Sequence, residues 1–206
     1  MSKLLQRYND RERMNHWFIA LMFVLAGLSG LAFFHPSLYF FSNLFGGGPW
    51  TRILHPFLGV LMAVSFLGLF LKLWRENRFV EGDKEWRKHA GRMLKGDKAG
   101  MPPVGKYNYG QKMVFWAMAL SLLVLLVTGF SFWRPWFAPY FPIDLQRVAV
   151  LLHAVSAVVL IAVTIVHVYA AIWVKGTIRA MTRGTVTEGW ARLNHPLWHR
   201  DMTKGR

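Results

Sequence analysis

The chain contains no cysteine. That excludes disulfide bonds, thiol catalysis and cysteine-held iron–sulfur clusters, so any redox centre must be held by histidine, methionine or oxygen ligands. Acidic residues are scarce as well: 10 Asp and Glu stand against 25 Lys and Arg, a formal net charge of +15 over 206 residues. Four stretches, 16–34, 53–71, 113–133 and 148–174, lack charged residues of either sign. Each is long enough to cross the ~30 Å hydrocarbon layer of a bilayer as a helix. The expected fold is therefore all-α: an integral membrane four-helix bundle forming a single transmembrane domain over 1–206, without an internal repeat.

The positive charge is placed as a membrane protein places it. Four basic residues lie in 1–15, eleven in 72–112 and seven from Lys175 onward, while the two remaining connections hold only Arg52, Arg134 and Arg147. With four spans, the basic segments share one side, and the positive-inside rule puts both termini and the 72–112 loop in the cytoplasm. Basic charge so placed suits anionic lipid headgroups and does not predict nucleic-acid binding. The first apolar segment lacks a small-residue cleavage site and is expected to remain as a helix. The second is expected to begin near Thr51, with Pro56 tolerated in its first turn. A short surface helix is expected around 83–95, in a loop that also holds Gly96, Gly100 and Pro102-Pro103. The third span is expected to stop at Trp133-Arg134-Pro135-Trp136.

Four of the eight histidines fall at or inside the apolar segments: His16, His55, His153 and His167. At about 100° per residue, the fourteen steps from His153 to His167 end within about 40° of a whole number of turns, so both imidazoles face one side of the helix. Their axial separation is about 21 Å, most of the membrane thickness. Pairing by depth joins His16 with His167 on the inner side and His55 with His153 on the outer. Each pair links two helices, as a bis-imidazole haem clamp requires, and such a haem suits electron transfer rather than oxygen chemistry. A membrane histidine on its own is equally served by a hydrogen bond to a neighbouring helix; four at matched depths favour two stacked haems.

Other residues speak less clearly. Ala26, Gly27, Gly30 and Gly59 would let a flat macrocycle approach the backbone, but ordinary close helix packing also uses small residues. Arg13 and Arg52, each three residues before a proposed ligand, suit either haem propionates or snorkelling to the interface. His35 and His89 read as solvated loop residues. His195 and His199, four apart with Pro196 between them and no acidic or cysteine partner in view, read as part of a docking tail rather than a metal site. The segment Gly105-Lys106-Tyr107-Asn108-Tyr109-Gly110-Gln111-Lys112 offers two amides beside an apolar span. It fits a quinone head-group site or a plain helix cap with interfacial tyrosines.

Several strings go beyond spacing: Glu12-Arg13 with His16-Trp17, Arg52-Ile53-Leu54-His55-Pro56-Phe57, and Gly105-Lys106-Tyr107-Asn108 followed by Gly110-Gln111-Lys112. To these add Trp133-Arg134-Pro135, Leu152-His153-Ala154, His167-Val168-Tyr169, Trp173-Val174-Lys175-Gly176, and His195-Pro196 with Trp198. Over nearly its whole length the chain resembles the cytochrome b556 (gamma) subunits of respiratory formate dehydrogenases. The resemblance implies an anchor in the bacterial inner membrane that passes electrons from an iron–sulfur beta subunit to menaquinone. Formate would be oxidised on a separate alpha subunit containing molybdenum or tungsten. It implies two haem b groups, the outer on His55 and His153 and the inner on His16 and His167. It implies quinone binding at Asn108, Gly110, Gln111 and His167, and a trimer of heterotrimers. Tyr109 departs from the smaller residue expected there.

Two other readings compete. One keeps the architecture and changes the donor, making the chain the cytochrome b anchor of a hydrogenase or another periplasmic oxidoreductase. The other is a non-haem membrane anchor or proton pathway. Against a proton pathway stands the gap between His153 and His167, which holds only Ser156 and Thr164 as polar residues.

Overall fold

The computed structural model describes residues 3–94, 100–134 and 136–204, apart from the side chains of 93 and 94. Gly96, Pro135 and the end of the short helix expected at 83–95 lie outside the described residues. Strand β1 (Leu4–Gln6) leads into helix α1 (Asp10–Phe34), a 3-10 segment (Pro36–Phe45) and α2 (Gly48–Leu73). Two short helices, α3 (Glu81–Lys88) and α4 (Ala90–Leu94), precede α5 (Tyr109–Phe132). A 3-10 turn at Ala138–Tyr140 precedes α6 (Ile143–Trp173), and the chain continues through α7 (Thr177–Arg183), β2 (Thr185–Thr187), α8 (Glu188–Asn194) and α9 (Pro196–Thr203). The four expected spans are thus present, and α1, α2, α5 and α6 are each long and apolar enough to cross a membrane.

The helices start earlier than the apolar runs because polar residues cap them. Asn9 and Glu12 bond reciprocally at the head of α1, Glu12 N–H to Asn9 Oδ1 (2.9 Å) and Asn9 N–H to Glu12 Oε2 (2.7 Å). This capping box satisfies donors that the first turn leaves open. Helix α2 begins at Gly48, not near Thr51, so Pro49 occupies its first turn and Pro56 lies inside the helix. The expectation for Pro56 is corrected accordingly. Its missing N–H leaves the Arg52 carbonyl without an i+4 donor, a gap placed directly beside His55.

Contacts divide the chain into two compact units. One comprises Met14–Leu71 and Ala117–Val166 and contains most of the four long helices. Its core takes Met22 and Ala26 from α1, Met62 from α2, Leu122 from α5 and Leu160 from α6. Outward-facing residues such as Val64, Leu120 and Leu151 are large, apolar and exposed. A surface of that kind suits lipid rather than water.

The other unit comprises the described parts of Met1–Arg13, Lys72–Trp116 and His167–Arg206. Here β1 pairs antiparallel with β2, with Leu5 opposite Val186. Both side chains are almost fully buried among Tyr8, Trp190 and Trp198, each contributing about 1.5–3 kcal/mol over the exposed state. The turn into β2 requires Gly184. Its φ is +74°, its carbonyl accepts from Arg7 and Tyr8 N–H, and a Cβ there would lie 2.6 Å from the Tyr8 carbonyl oxygen.

Candidate haem-binding site

The outer histidine pair comes together. His55 on α2 and His153 on α6 have ring centroids 6.2 Å apart. An imidazole nitrogen sits about 2 Å from a first-row metal ion and about 1.1 Å from its own ring centre. Two imidazoles clamping one ion from opposite sides therefore stand about 6.3 Å apart. The observed separation is the one a shared metal needs.

Each ring is oriented by a hydroxyl on the preceding long helix. Ser29 Oγ lies 2.9 Å from His55 Nδ1, and Thr128 Oγ1 lies 3.0 Å from His153 Nδ1. Ser29 donates its own proton to the Ala26 carbonyl (3.0 Å) and Thr128 donates to Val124 (2.6 Å). With those protons committed, each hydroxyl oxygen accepts from the histidine Nδ1–H. The imidazole is then in the tautomer whose lone pair is on Nε2, the form a metal binds.

The next residue along is glycine in both places. A Cβ on Gly30 would meet His55 Cε1 at 3.2 Å, and one on Gly129 would meet His153 Cε1 at 3.3 Å. Three residues further, Phe33 stands edge-on to His55 and Phe132 edge-on to His153. A five-residue pattern of hydroxyl, glycine, two variable residues and phenylalanine thus occurs twice, as Ser29-Gly30-Leu31-Ala32-Phe33 and Thr128-Gly129-Phe130-Ser131-Phe132. Ser29, Thr128 and Gly129 were not among the expected site residues, since a hydroxyl residue followed by glycine is an ordinary packing pair in an apolar span. Of the small residues expected to matter, Gly30 is in contact with the His55 ring and Gly59 lines the cavity beside it, whereas a Cβ on Gly27 would meet nothing within 4 Å.

Beside the two rings lies a cavity of about 330 Å³, lined mainly by apolar side chains and by Arg52 and Arg134. Both arginines are exposed residues, so their guanidinium groups can meet carboxylates where water also reaches. Two imidazoles with ring centroids 6.2 Å apart, an apolar slot and two cations at its lining fit a haem b with its propionates.

The inner pair is placed differently. His16, half-buried on α1, and His167, an exposed residue on α6, belong to different compact units. Arg13 is held by Asp10 at 3.2 Å.

At the head of α5, Asn108 and Gln111 form a second capping box: Gln111 N–H donates to Asn108 Oδ1 (2.9 Å) and Asn108 N–H to Gln111 Oε1 (3.0 Å). The helix-cap role is therefore real, and it commits both amide oxygens while leaving the amide nitrogens as donors. A Cβ on Gly110 would touch Asn108 Oδ1 and the Trp86 ring, both at 3.5 Å. Tyr109 packs against Phe79 and Trp86. One turn on, Lys112 and Asp83 form a buried ion pair at 2.7 Å. Burial, reinforced by the Tyr8 hydroxyl 2.9 Å away, holds the Tyr107 phenol well above its ordinary pKa, so it stays protonated at neutral pH.

The remaining histidines are more organised than expected. His35 caps the 3-10 segment, accepting from Ser37 N–H at 3.2 Å. His89 Nδ1 donates to the Glu85 carbonyl at 3.0 Å. The tail does contain an acidic partner, since Glu188 Oε1 lies 3.1 Å from His199 Nε2, and that bond lowers the Glu188 carboxyl pKa. Among the described residues there is no cluster of three or more metal-ligating side chains.

Four apolar helices around a facing histidine pair define a multi-pass membrane cytochrome b. The family model for prokaryotic cytochrome b561 matches residues 7–184. The chain is 46% identical over 198 residues, 96% of its length and 93% of the relative's, to the formate dehydrogenase cytochrome b556(fdo) subunit of Escherichia coli (strain K12). It is 40% identical over 203 residues (98% and 94%) to the nitrate-inducible formate dehydrogenase cytochrome b556(Fdn) subunit of the same organism. It is also 40% identical over 195 residues (95% and 82%) to a formate dehydrogenase cytochrome b556 subunit of Haemophilus influenzae. The chain belongs to the prokaryotic cytochrome b561 family, alongside these cytochrome b556 subunits.

Proposed function

We propose that this chain is the membrane electron-transfer subunit of a formate dehydrogenase complex, carrying electrons from an iron–sulfur partner through two b haems to menaquinone. The observation that carries the reading is the His55–His153 pair, with its 6.2 Å ring separation and a hydroxyl within 3.0 Å of each Nδ1. Bound haem iron supplies the one-electron chemistry. The chain's own residues would hold it: His55 and His153 would present Nε2, Ser29 and Thr128 would keep the proton on Nδ1, the apolar wall would exclude water, and Arg52 and Arg134 would pair with the propionates.

His16 and His167 are proposed for the inner haem, on the fourteen-residue spacing from His153 and on the resemblance. Asn108, Gly110, Gln111 and His167 are proposed for the quinone. The two amide nitrogens suit a quinone carbonyl, and Gly110 keeps the approach low. The chain as a whole is proposed as a single di-haem domain in the bacterial inner membrane, with both termini cytoplasmic by its charge placement. Its proposed partners are an iron–sulfur subunit and a molybdenum or tungsten catalytic subunit, arranged as a trimer of heterotrimers.

The test is a dithionite-reduced spectrum with haem quantification on chain purified from membranes. About two low-spin b haems per chain are expected, falling to about one in His55→Ala or His153→Ala. Well-folded protein without haem would rule the reading out. Quinone reduction surviving in His167→Ala would disprove the inner route alone.

A further inference from the structure

The segment that enters the Asn108–Gln111 cap is held from outside at three consecutive carbonyls. Val104 C=O accepts from Leu197 N–H at 3.1 Å. Gly105 C=O accepts from His195 Nδ1–H at 2.8 Å. Lys106 C=O accepts from the Arg7 guanidinium. Two donors come from the C-terminal tail and one from the N-terminal arm. Side chains contribute on the same stretch: Tyr107 OH bonds Tyr8 OH at 2.9 Å, and Lys106 pairs with Glu76.

Two of the three donor residues are themselves buried. His195 is 2% exposed, stacks on Trp190 with centroids 5.0 Å apart, and closes a backbone bond to Ala191. Arg7 is 7% exposed and lies over the rings of Trp198, Trp190 and Tyr107 at 4.9, 5.2 and 5.7 Å. Its partners among the described residues are π-faces and a carbonyl, with no carboxylate. A guanidinium buried in this way is used for directional hydrogen bonding rather than ion pairing.

We infer that the two chain ends act together as a splint for the proposed quinone loop, with His195 as its central positioning residue. The inference rests on Asn108 and Gln111 being the quinone-facing residues. Three successive bonded carbonyls, two of them held by buried side chains, leave the peptides before Asn108 little freedom to rotate, so the amide nitrogens of the capping box point in one direction before any ligand arrives. Preorganisation of that kind improves affinity by removing an ordering cost, and it leaves the ligand's own contacts unchanged. The tail therefore acts on quinone binding without touching quinone.

The experiment uses the full haem-loaded chain in detergent. Menadiol, a soluble naphthoquinol, is mixed with oxidised protein, and the rise of the reduced haem band is followed against menadiol concentration. His195→Leu removes the donor and keeps apolar bulk; His195→Asn places an amide N–H close to the lost Nδ1–H. In His195→Leu the half-saturating concentration is expected to rise about tenfold, the loss typical of one hydrogen bond to a buried acceptor. Haem content and limiting rate should hold, amide exchange at Asn108, Gln111 and Lys112 should accelerate, and His195→Asn should stay within about twofold of the parent. An unchanged half-saturation in His195→Leu overturns the splint, as does loss of haem together with rate, which marks a merely structural tail. Asn108→Leu separates the two ideas: if it leaves menadiol reaction untouched, the quinone assignment itself is wrong.

Discussion

Ser29 and Thr128 each use one hydroxyl twice, donating to a carbonyl of their own helix and accepting from a histidine of the next. The first bond is what makes the second directional, because a hydroxyl with its proton spent has only a lone pair to offer. Replacing either residue with alanine removes the hydroxyl partner at Nδ1 and loosens the orientation of the imidazole. Loss of an orienting partner behind a metal ligand costs about 10–100-fold in metal affinity. Ser29→Ala and Thr128→Ala should each weaken outer haem binding by that order while Thr128→Ser does not, as measured by haemin titration of haem-depleted chain followed at the Soret band. Equal haemin affinity in all three variants would mean the hydroxyls do not orient the ligands. The histidines were legible in the sequence because no Lys, Arg, Asp or Glu shares their spans. The hydroxyl–glycine pairs were not, because serine, threonine and glycine are common in membrane helices for packing alone. Only the crossing of α1 with α2, and of α5 with α6, shows which ring each one meets.

Among the elements, the spans could be read from the sequence and their ends could not. Apolar runs mark where hydrocarbon begins, but α1 and α5 start several residues earlier, where Asn9–Glu12 and Asn108–Gln111 close their boxes. The shift of α2 to Gly48 has the same origin: a proline is at home in a first turn, and Pro49 was the one that held it. Helix α3 was expected as a surface helix, and its charged exterior fits that. What the pattern hid is Asp83, which turns inward to Lys112 on α5 and is 5% exposed. Removing one member of such a pair strands the other charge in a poor solvent, at a cost of about 3–5 kcal/mol. Lys112→Met should therefore destabilise the fold by that order, and Asp83→Asn/Lys112→Met together should recover much of it. Thermal melting of the detergent-solubilised chain, followed by circular dichroism, measures both. A double variant as unstable as the single one would show that the charge pair is not the source of the effect.

At the scale of the molecule, the missing cysteine becomes an advantage. A single introduced thiol is the only one in the chain, so its labelling reports one position. Ser37→Cys, in the connection between α1 and α2, should react with a membrane-impermeant maleimide in intact cells. Lys88→Cys should react only after the membrane is opened. The reverse pattern would invert the proposed orientation. Sidedness rests on the distribution of charge, which sequence shows directly, whereas the division into two compact units depends on the chain ends folding back against 104–107 and had no periodicity to announce it.

The two hydroxyl–glycine–phenylalanine segments carry a consequence for how the protein is made. Of the two histidines proposed as a clamp, His55 belongs to the α1–α2 hairpin and His153 to α5–α6, so about 100 residues of translation separate one from the other. At about 5–20 residues per second, the leading hairpin waits on the order of 5–20 s with a half-built site. If His55 and His153 hold haem as proposed, its capture cannot be completed during insertion of the first half and must wait until both halves have arrived.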